Sequence, residues 1–450
     1  MDNVIGTEKA AVKQLSQQLQ ENKYVFELDE TMLIEQSLEL RGQTVPIGAK
    51  NAVLVIMASV ILTEGTSILK NVPHSNDVLQ MISLLQDLGA QVIFDRDLHQ
   101  VTIDTRSLDK YTMSASIMKK MRASVLVMGP LLARFARAEI ALPGGCLLGA
   151  RPIDFHLKAF EKMGVVLQRE GDILNGITYG LKAATIVLEY PSVGATENIM
   201  MAASLTKGVT RIINAALEPE VIDLIEVLQK MGARITITPP AIIEIEGVES
   251  LRPIEHSILH DRLEAGALLL AAAVTGGDIY VPFVRADLLD VFLLKLDEMG
   301  HSISVDPNNK GIRLKASKNP KAVSFRTAPY PGFPTDLQAP MMVAQCIASG
   351  TSVIHETVFE NRFLHIRELQ KMGAQIKLEG DRAFVTGVEA LYGTQVIATD
   401  IRASCALVLA GLVARGATVM TGMHHWRRGY DALEKKLVSL GAHIQLKITS

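Results

Sequence analysis

The amino-acid sequence predicts an α/β protein of two domains, each built from three copies of one unit, with apolar helices inside and sheets packed over them. The first observation is a repeat. The phrases "LLQDLGAQVIF", "FEKMGVVLQ", "VLQKMGARITI", "KLDEMGHSISV", "ELQKMGAQIKL" and "KLVSLGAHIQL" place glycines at 89, 164, 232, 300, 373 and 441, at intervals of 68 to 75 residues. The second is a set of helices such as "AVLVIMASVIL" and "CALVLAGLVA", apolar nearly all round and therefore buried on every side. The third is length: 450 residues exceed what one hydrophobic core serves.

Each copy reads alike. An amphipathic helix runs into the shared glycine, which suits a left-handed C-cap. A short alternating strand follows, as in "AQVIFD" and "ARITIT". Upstream lies the apolar helix, in order "AVLVIMASVIL", "SVLVMGPLLARF", "NIMMAASL", "GALLLAAAV", "PMMVAQCIA" and "CALVLAGLVA". Each ends near a glycine and leads into a β-rich segment such as "TSILKNV", "TRIINAA" or "GDIYVPF". The unit is helix, strand, helix, strand, with room for one more strand. A solenoid is the alternative, although its repeats usually run only ~20–50 residues.

The totals exclude several classes of protein. Hydrophobic residues make up 48% and charged residues 21% of the chain, a globular composition. A net charge of −3 argues against a dedicated nucleic-acid or anionic-membrane binder, which carries a basic face. Cysteines at 146, 346 and 405 give neither a disulfide framework nor zinc spacing. The N-terminal residues lack the basic-then-apolar pattern of a targeting segment, and the apolar runs are shorter than the ~18–20 residues that span a bilayer. A cytoplasmic protein with reduced thiols is expected.

Short polar clusters precede the apolar helices: "GAKN" (48–51), "KKMRAS" (119–124), "GATEN" (194–198), "HDRLEAG" (260–266), "FPTDLQ" (333–338) and "TDIRAS" (399–404). If the corresponding ends of two domains face each other, Lys50, Arg122, Arg262, Asp336 and Arg402 line a common cleft. Helix N-termini add free N–H groups, so the cleft suits an anionic substrate. Asp261 and Asp400 read as N-caps. Lys50 and Arg122 oppose the helix dipole, and a bound anion would compensate them. Cys346 and Cys405 fall within apolar helices and read as core. Cys146 instead sits in "LPGGCLLGARPIDFH", where glycines and proline exclude helix or central strand, and the nearby Arg151 would lower its thiol pKa. An incidental loop cysteine is an equal reading of this stretch by itself.

At "GAKN", "KMRAS", "LPGGCLLGARPID", "PSVGATEN", "EPEVIDL", "PGFPTDLQA", "FENRF", "TDIRAS" and "RRGY", the chain resembles the UDP-N-acetylglucosamine 1-carboxyvinyltransferase family of enolpyruvyl transferases, over roughly residues 38–448. The resemblance implies two inverse α/β barrel domains of three βαβαββ units each. One would comprise residues 38–49 and 260–450, the other 50–259 with the Cys146 loop, and 1–37 would be an N-terminal extension. It implies transfer of the enolpyruvyl group of phosphoenolpyruvate to the 3-hydroxyl of UDP-N-acetylglucosamine, the first committed step of peptidoglycan precursor synthesis. No metal and no organic cofactor are implied, and the partners are the two small-molecule substrates.

Carried over by motif, Lys50, Asn51, Arg151 and Arg428 meet phosphoenolpyruvate, and Cys146 is the loop cysteine that donates a proton or becomes attached to the enolpyruvyl group. The UDP-sugar falls to Arg122, the run Arg151, Pro152, Ile153, Asp154 and Phe155, then Ser192, Val193, Gly194, Asp336 and Val358. Asp336 is placed to accept the hydroxyl proton, and Arg362 and Arg402 shape the cleft.

Three departures from the pattern stand out. Pro46 and Ile47 precede "GAKN" where the family usually has serine before it; "HWRRGY" stands where it usually reads "HIDRGY"; and residues 1–37 have no counterpart. Trp426 and Arg427 thus replace an apolar and an acidic residue beside Arg428. Two competing readings are 5-enolpyruvylshikimate-3-phosphate synthase, which shares the fold and the donor, and a divergent UDP-sugar-binding paralogue with a regulatory role.

Overall fold

The computed structural model describes residues 29–112, 122–141 and 153–449. All six repeat glycines have positive φ, between 87° and 113°. In five of the six turns the residue after the glycine donates back to a leucine carbonyl of the preceding helix, as Ala90 does to Leu85 and Ala442 to Leu437. This is the closure that a left-handed glycine permits at a helix end.

Six sheets follow from the six units, five four-stranded and one three-stranded among the described residues. The sheet of the fifth unit is representative. Its hairpin pairs Gln375–Glu379 with Arg382–Thr386; Thr351–His355 lies antiparallel against the second hairpin strand, and Phe325–Arg326 adds a parallel edge. Buried and exposed residues alternate along these strands, as in Thr351–His355, because one face packs on helices.

The buried apolar residues sort into two clusters. One runs from Ala49 to Ile258, the other comprises Met32, Ile34, Leu40 and residues from Leu263 to Ala442. At the centre of the second lie the helices Arg262–Thr275, Gln338–Cys346 and Ile401–Val413, each packed on both others. A closed triangle of this kind is not an open solenoid. Every residue of Arg262–Thr275 is buried, as its sequence requires. Small residues allow the close approach: a Cβ on Gly266 would lie 2.5 Å from Leu337 Cδ1.

Two sequence expectations change. "SVLVMGPLLARF" forms a 3-10 segment, Arg122–Val127, before the α-helix Met128–Phe135. The Gly129 N–H is taken by Asn198 Oδ1 at 2.6 Å, and Pro130 has no N–H, which suits the first α-helical turn. The N-terminal extension ends sooner than residue 37. Asp29–Glu35 is a strand between Ala417–Thr421 and His443–Thr449, antiparallel to both. It takes the place that the return strand of the hairpin occupies in the other units. Met32 and Ile34 point into the core, an alternation that is visible in "DETMLIE". Residues 1–28 lie outside the described residues.

The chain passes between the two clusters twice, on segments that pair. Ala49 N donates to Leu259 O at 2.8 Å and Asp261 N to Ile47 O at 2.7 Å. Pro46 is accommodated because it contributes only its carbonyl, which accepts from His260 Nδ1 at 2.6 Å.

Candidate active site

Two of the apolar helices, Lys50–Ser59 and Arg262–Thr275, begin where the two buried clusters meet. Lys50 opens the helix Lys50–Ser59, which has no acidic residue in its first turn. Its compensating anion is Asp77, in the first turn of Asn76–Asp87. Lys50 Nζ donates to Asp77 Oδ2 at 2.9 Å, and Arg428 Nε, from the other half, donates to Asp77 Oδ1 at 2.9 Å. Burial acts to raise the Asp77 pKa, but Lys50 and Arg428 outweigh it and hold the carboxyl below the usual range. Sequence reasoning missed Asp77. An acid in a first helical turn reads as a dipole partner, and nothing local says that it faces two cations. Asn51 follows Lys50 and is exposed.

A second cluster lies within the other half. Asp336 accepts from Arg362 Nη2 and Arg402 Nη2, both at 2.6 Å. Burial pushes this carboxyl upward, but Arg402 and then Arg362 overwhelm that effect, leaving its pKa far below the usual range. Arg402 also donates to Tyr430 Oη at 3.2 Å. Tyr430 is two residues from Arg428, so the segment "RGY" touches both clusters. Val358 is fixed by Glu356, whose Oε1 accepts from Val358 N at 2.8 Å and from Thr327 Oγ1, while Oε2 accepts from Thr335 Oγ1 beside Asp336. Glu356 also escaped sequence reasoning.

The candidate sugar-binding residues come together only in part. Ser192 caps the helix Val193–Ala203, its hydroxyl accepting from Ala195 N at 3.4 Å. A Cβ on Gly194 would meet the His156 ring at 3.4 Å. His156 belongs to the helix Asp154–Lys162, so Ser192, Val193 and Gly194 lie beside the element that carries Asp154 and Phe155, with Ile153 as its cap. Burial holds His156 neutral, its pKa pushed down to about 4, and Nδ1 accepts from Asn198 Nδ2 at 3.1 Å. Arg122 is placed only in its backbone, as the first residue of the 3-10 segment. Cys146, Arg151 and Pro152 lie outside the described residues.

Arg262 does not line an open cleft. It is buried and forked onto Glu220 of the other half, Nε to Oε1 at 3.0 Å and Nη2 to Oε2 at 3.2 Å. Asp261 and Asp400 are N-caps, each accepting two backbone N–H groups. Cys346 and Cys405 are buried.

The family model of EPSP synthase (3-phosphoshikimate 1-carboxyvinyltransferase) matches residues 34–437. A protein named UDP-N-acetylglucosamine 1-carboxyvinyltransferase 1 from Caldanaerobacter subterraneus subsp. tengcongensis is 46% identical over 92% of this chain and 99% of its own. The UDP-N-acetylglucosamine 1-carboxyvinyltransferase of Thermodesulfovibrio yellowstonii is 45% identical with the same coverage. The chain belongs to the UDP-N-acetylglucosamine 1-carboxyvinyltransferase family. Solved structures give the same fold. The enolpyruvyl transferase NikO from Streptomyces tendae matches with a TM-score of 0.86 at 23% identity, over 94% of this chain and all of that one. EPSP synthase from Acinetobacter baumannii matches with a TM-score of 0.72 at 18% identity, over 93% and 99%. Membership makes this an enolpyruvyl transferase fold, with the two buried clusters as the two halves. Among the described residues no helix is long and apolar enough to cross a membrane.

Proposed function

We propose that the protein transfers the enolpyruvyl group of phosphoenolpyruvate to the 3-hydroxyl of UDP-N-acetylglucosamine with release of phosphate, a cytoplasmic step of peptidoglycan precursor synthesis. The observation that carries this reading is the meeting of Lys50 and Arg428, from opposite halves, on one carboxylate, in a chain of this family. A pair of cations that already binds one anion can bind another. In the reaction the sugar oxygen adds to the central carbon of phosphoenolpyruvate while the methylene carbon takes a proton. The tetrahedral intermediate then loses phosphate from the central carbon and a proton from the newly formed methyl group, which restores the double bond.

Lys50, Arg428 and Arg151 hold the phosphate and carboxylate of the donor as charge redistributes. Cys146 delivers or guards the proton at the methylene carbon. Asp336 takes the hydroxyl proton. Between Arg362 and Arg402 it is held ionised, and to act as base it must exchange one arginine contact for the sugar hydroxyl. Closure of the two halves excludes competing water. Arg122, the run Arg151, Pro152, Ile153, Asp154 and Phe155, then Ser192, Val193, Gly194 and Val358 hold the UDP-sugar, together with Asp336.

Phosphate release from phosphoenolpyruvate tests the reading. It is expected with UDP-N-acetylglucosamine and not with shikimate 3-phosphate or with no acceptor. Equal release without the sugar would overturn it, and release with shikimate 3-phosphate alone would make the protein an EPSP synthase. Binding of the UDP-sugar without any turnover would favour a regulatory paralogue.

A further inference from the structure

Arg428 is delivered to the interface by the helix Met423–Gly429, which starts at Gly422 without a side-chain cap. Seven residues make a helix that is marginal by itself, so its rotation is set by what packs behind it. Trp426 is fully buried, and its Nε1 donates to Glu434 Oε2 at 2.8 Å. Arg427 donates through Nη1 to Glu434 Oε1 at 3.0 Å, and through Nε and Nη2 to Glu30 Oε2 and Oε1 at 3.1 and 2.7 Å. Glu30 lies on the strand Asp29–Glu35 and Glu434 on the helix Leu433–Ser439. Arg427 is therefore forked between carboxylates of two other elements, while its neighbour Arg428 reaches Asp77. Successive helical residues point ~100° apart. A rotation of one residue would bring Arg427 toward the site and carry Arg428 away.

We propose that Glu30, Arg427 and Glu434 form a positioning clamp that fixes the rotation of this helix and so the reach of Arg428 toward the phosphate of phosphoenolpyruvate. The proposal rests on the function read above. None of the three touches substrate; they act through Arg428. Bidentate charge-assisted bonds have the directional strength such a role needs, and small misplacements of a binding group are costly in catalysis. The clamp also makes the N-terminal strand part of the site, although Glu30 is 397 residues from Arg427.

The test is a double-mutant cycle. Arg427→Ala is expected to raise the KM for phosphoenolpyruvate about tenfold, with kcat changed less than about twofold and the KM for the UDP-sugar unchanged. Arg427→Lys, which keeps the charge but loses the fork, should fall between. Glu30→Gln should shift the same parameter in the same direction. In an Arg428→Ala background, Arg427→Ala should add little, because the group it positions is gone. An unchanged penalty in that background, or an equal rise in the KM for the sugar, would overturn the clamp. The same cycle is also read by the phosphoenolpyruvate concentration that half-maximally raises the melting temperature. Absence of sugar-dependent turnover in the parent would then strike the proposed function, while this second titration still decides the clamp.

Discussion

Asp77 and Arg428 stand on opposite halves of the protein, 351 residues apart in sequence, and are joined by a 2.9 Å hydrogen bond. The second oxygen of the same carboxylate accepts from Lys50. The two cations expected to hold an anionic substrate therefore already hold one that the protein supplies. Any phosphate that enters must displace Asp77 or share the cations with it.

Asp77→Asn is expected to lower the melting temperature in anion-free buffer, because two cations are left facing each other without their counter-charge. Added inorganic phosphate should then stabilise the variant more than the parent. Thermal unfolding with and without phosphate checks this, and equal stabilisation of both proteins would show that phosphate does not use the place Asp77 holds.

Asp336→Asn is expected to reduce turnover by ~10²–10⁴-fold, the range of a general base, with a much smaller change in substrate KM. Steady-state kinetics on both substrates measures the split. Stability should change as well. The folded-state pKa values of Asp336 and Asp77 are depressed, so their contribution is fully present above the unfolded carboxyl pKa of ~3.9, begins to fall there and is lost as pH drops through the depressed folded values. Urea unfolding of the parent between neutral pH and about pH 3 should show a loss in that acid range, and Asp336→Asn should flatten it.

Much of the fold was legible because its signals are local. The left-handed glycines, the apolar helices and the caps Asp261 and Asp400 each depend on residues a few positions apart. What escaped was long-range. Asp77 resembles any acid in a first helical turn, and its partner Arg428 belongs to the other half. Glu30 fell within a stretch read as an extension, although "DETMLIE" alternates as a strand should. The strand pairs with segments near the far end of the chain, and no local pattern announces that. Arg427 stands where the family pattern has an acidic residue, and the carboxylates that neutralise it, Glu30 and Glu434, are not announced by the "HWRRGY" segment itself.

Gly129→Ala is expected to destabilise the half built around the helices Lys50–Ser59, Met128–Phe135 and Val193–Ala203 by roughly 1–3 kcal/mol, the usual cost of overpacking. A Cβ there would lie 2.3 Å from Asn198 O and 2.4 Å from its Oδ1. Asn198 cannot retreat without giving up Gly129 N, Val125 O and His156 Nδ1. Denaturant unfolding measures the loss, and a stability within a few tenths of the parent would show that these helices can move apart.

The three cysteines should differ sharply toward an anionic electrophile. Burial pushes the Cys346 thiol up to about 12 and the Cys405 thiol up to about 11, so at neutral pH neither presents thiolate to solvent. Cys146 lies outside the described residues, and its expected reactivity rests on the glycine-flanked loop and the nearby Arg151 in sequence. Fosfomycin, a small epoxide bearing a phosphonate, imitates the charge that Lys50 and Arg428 would hold. It is expected to attach to Cys146 alone, and faster when the UDP-sugar is present. Cys146→Asp keeps a proton donor at the same place, so activity should partly persist while inactivation disappears. Peptide mass mapping decides between the thiols. An adduct on Cys346 or Cys405, or inactivation of Cys146→Asp at the parent's rate, would remove the loop cysteine from the role assigned to it.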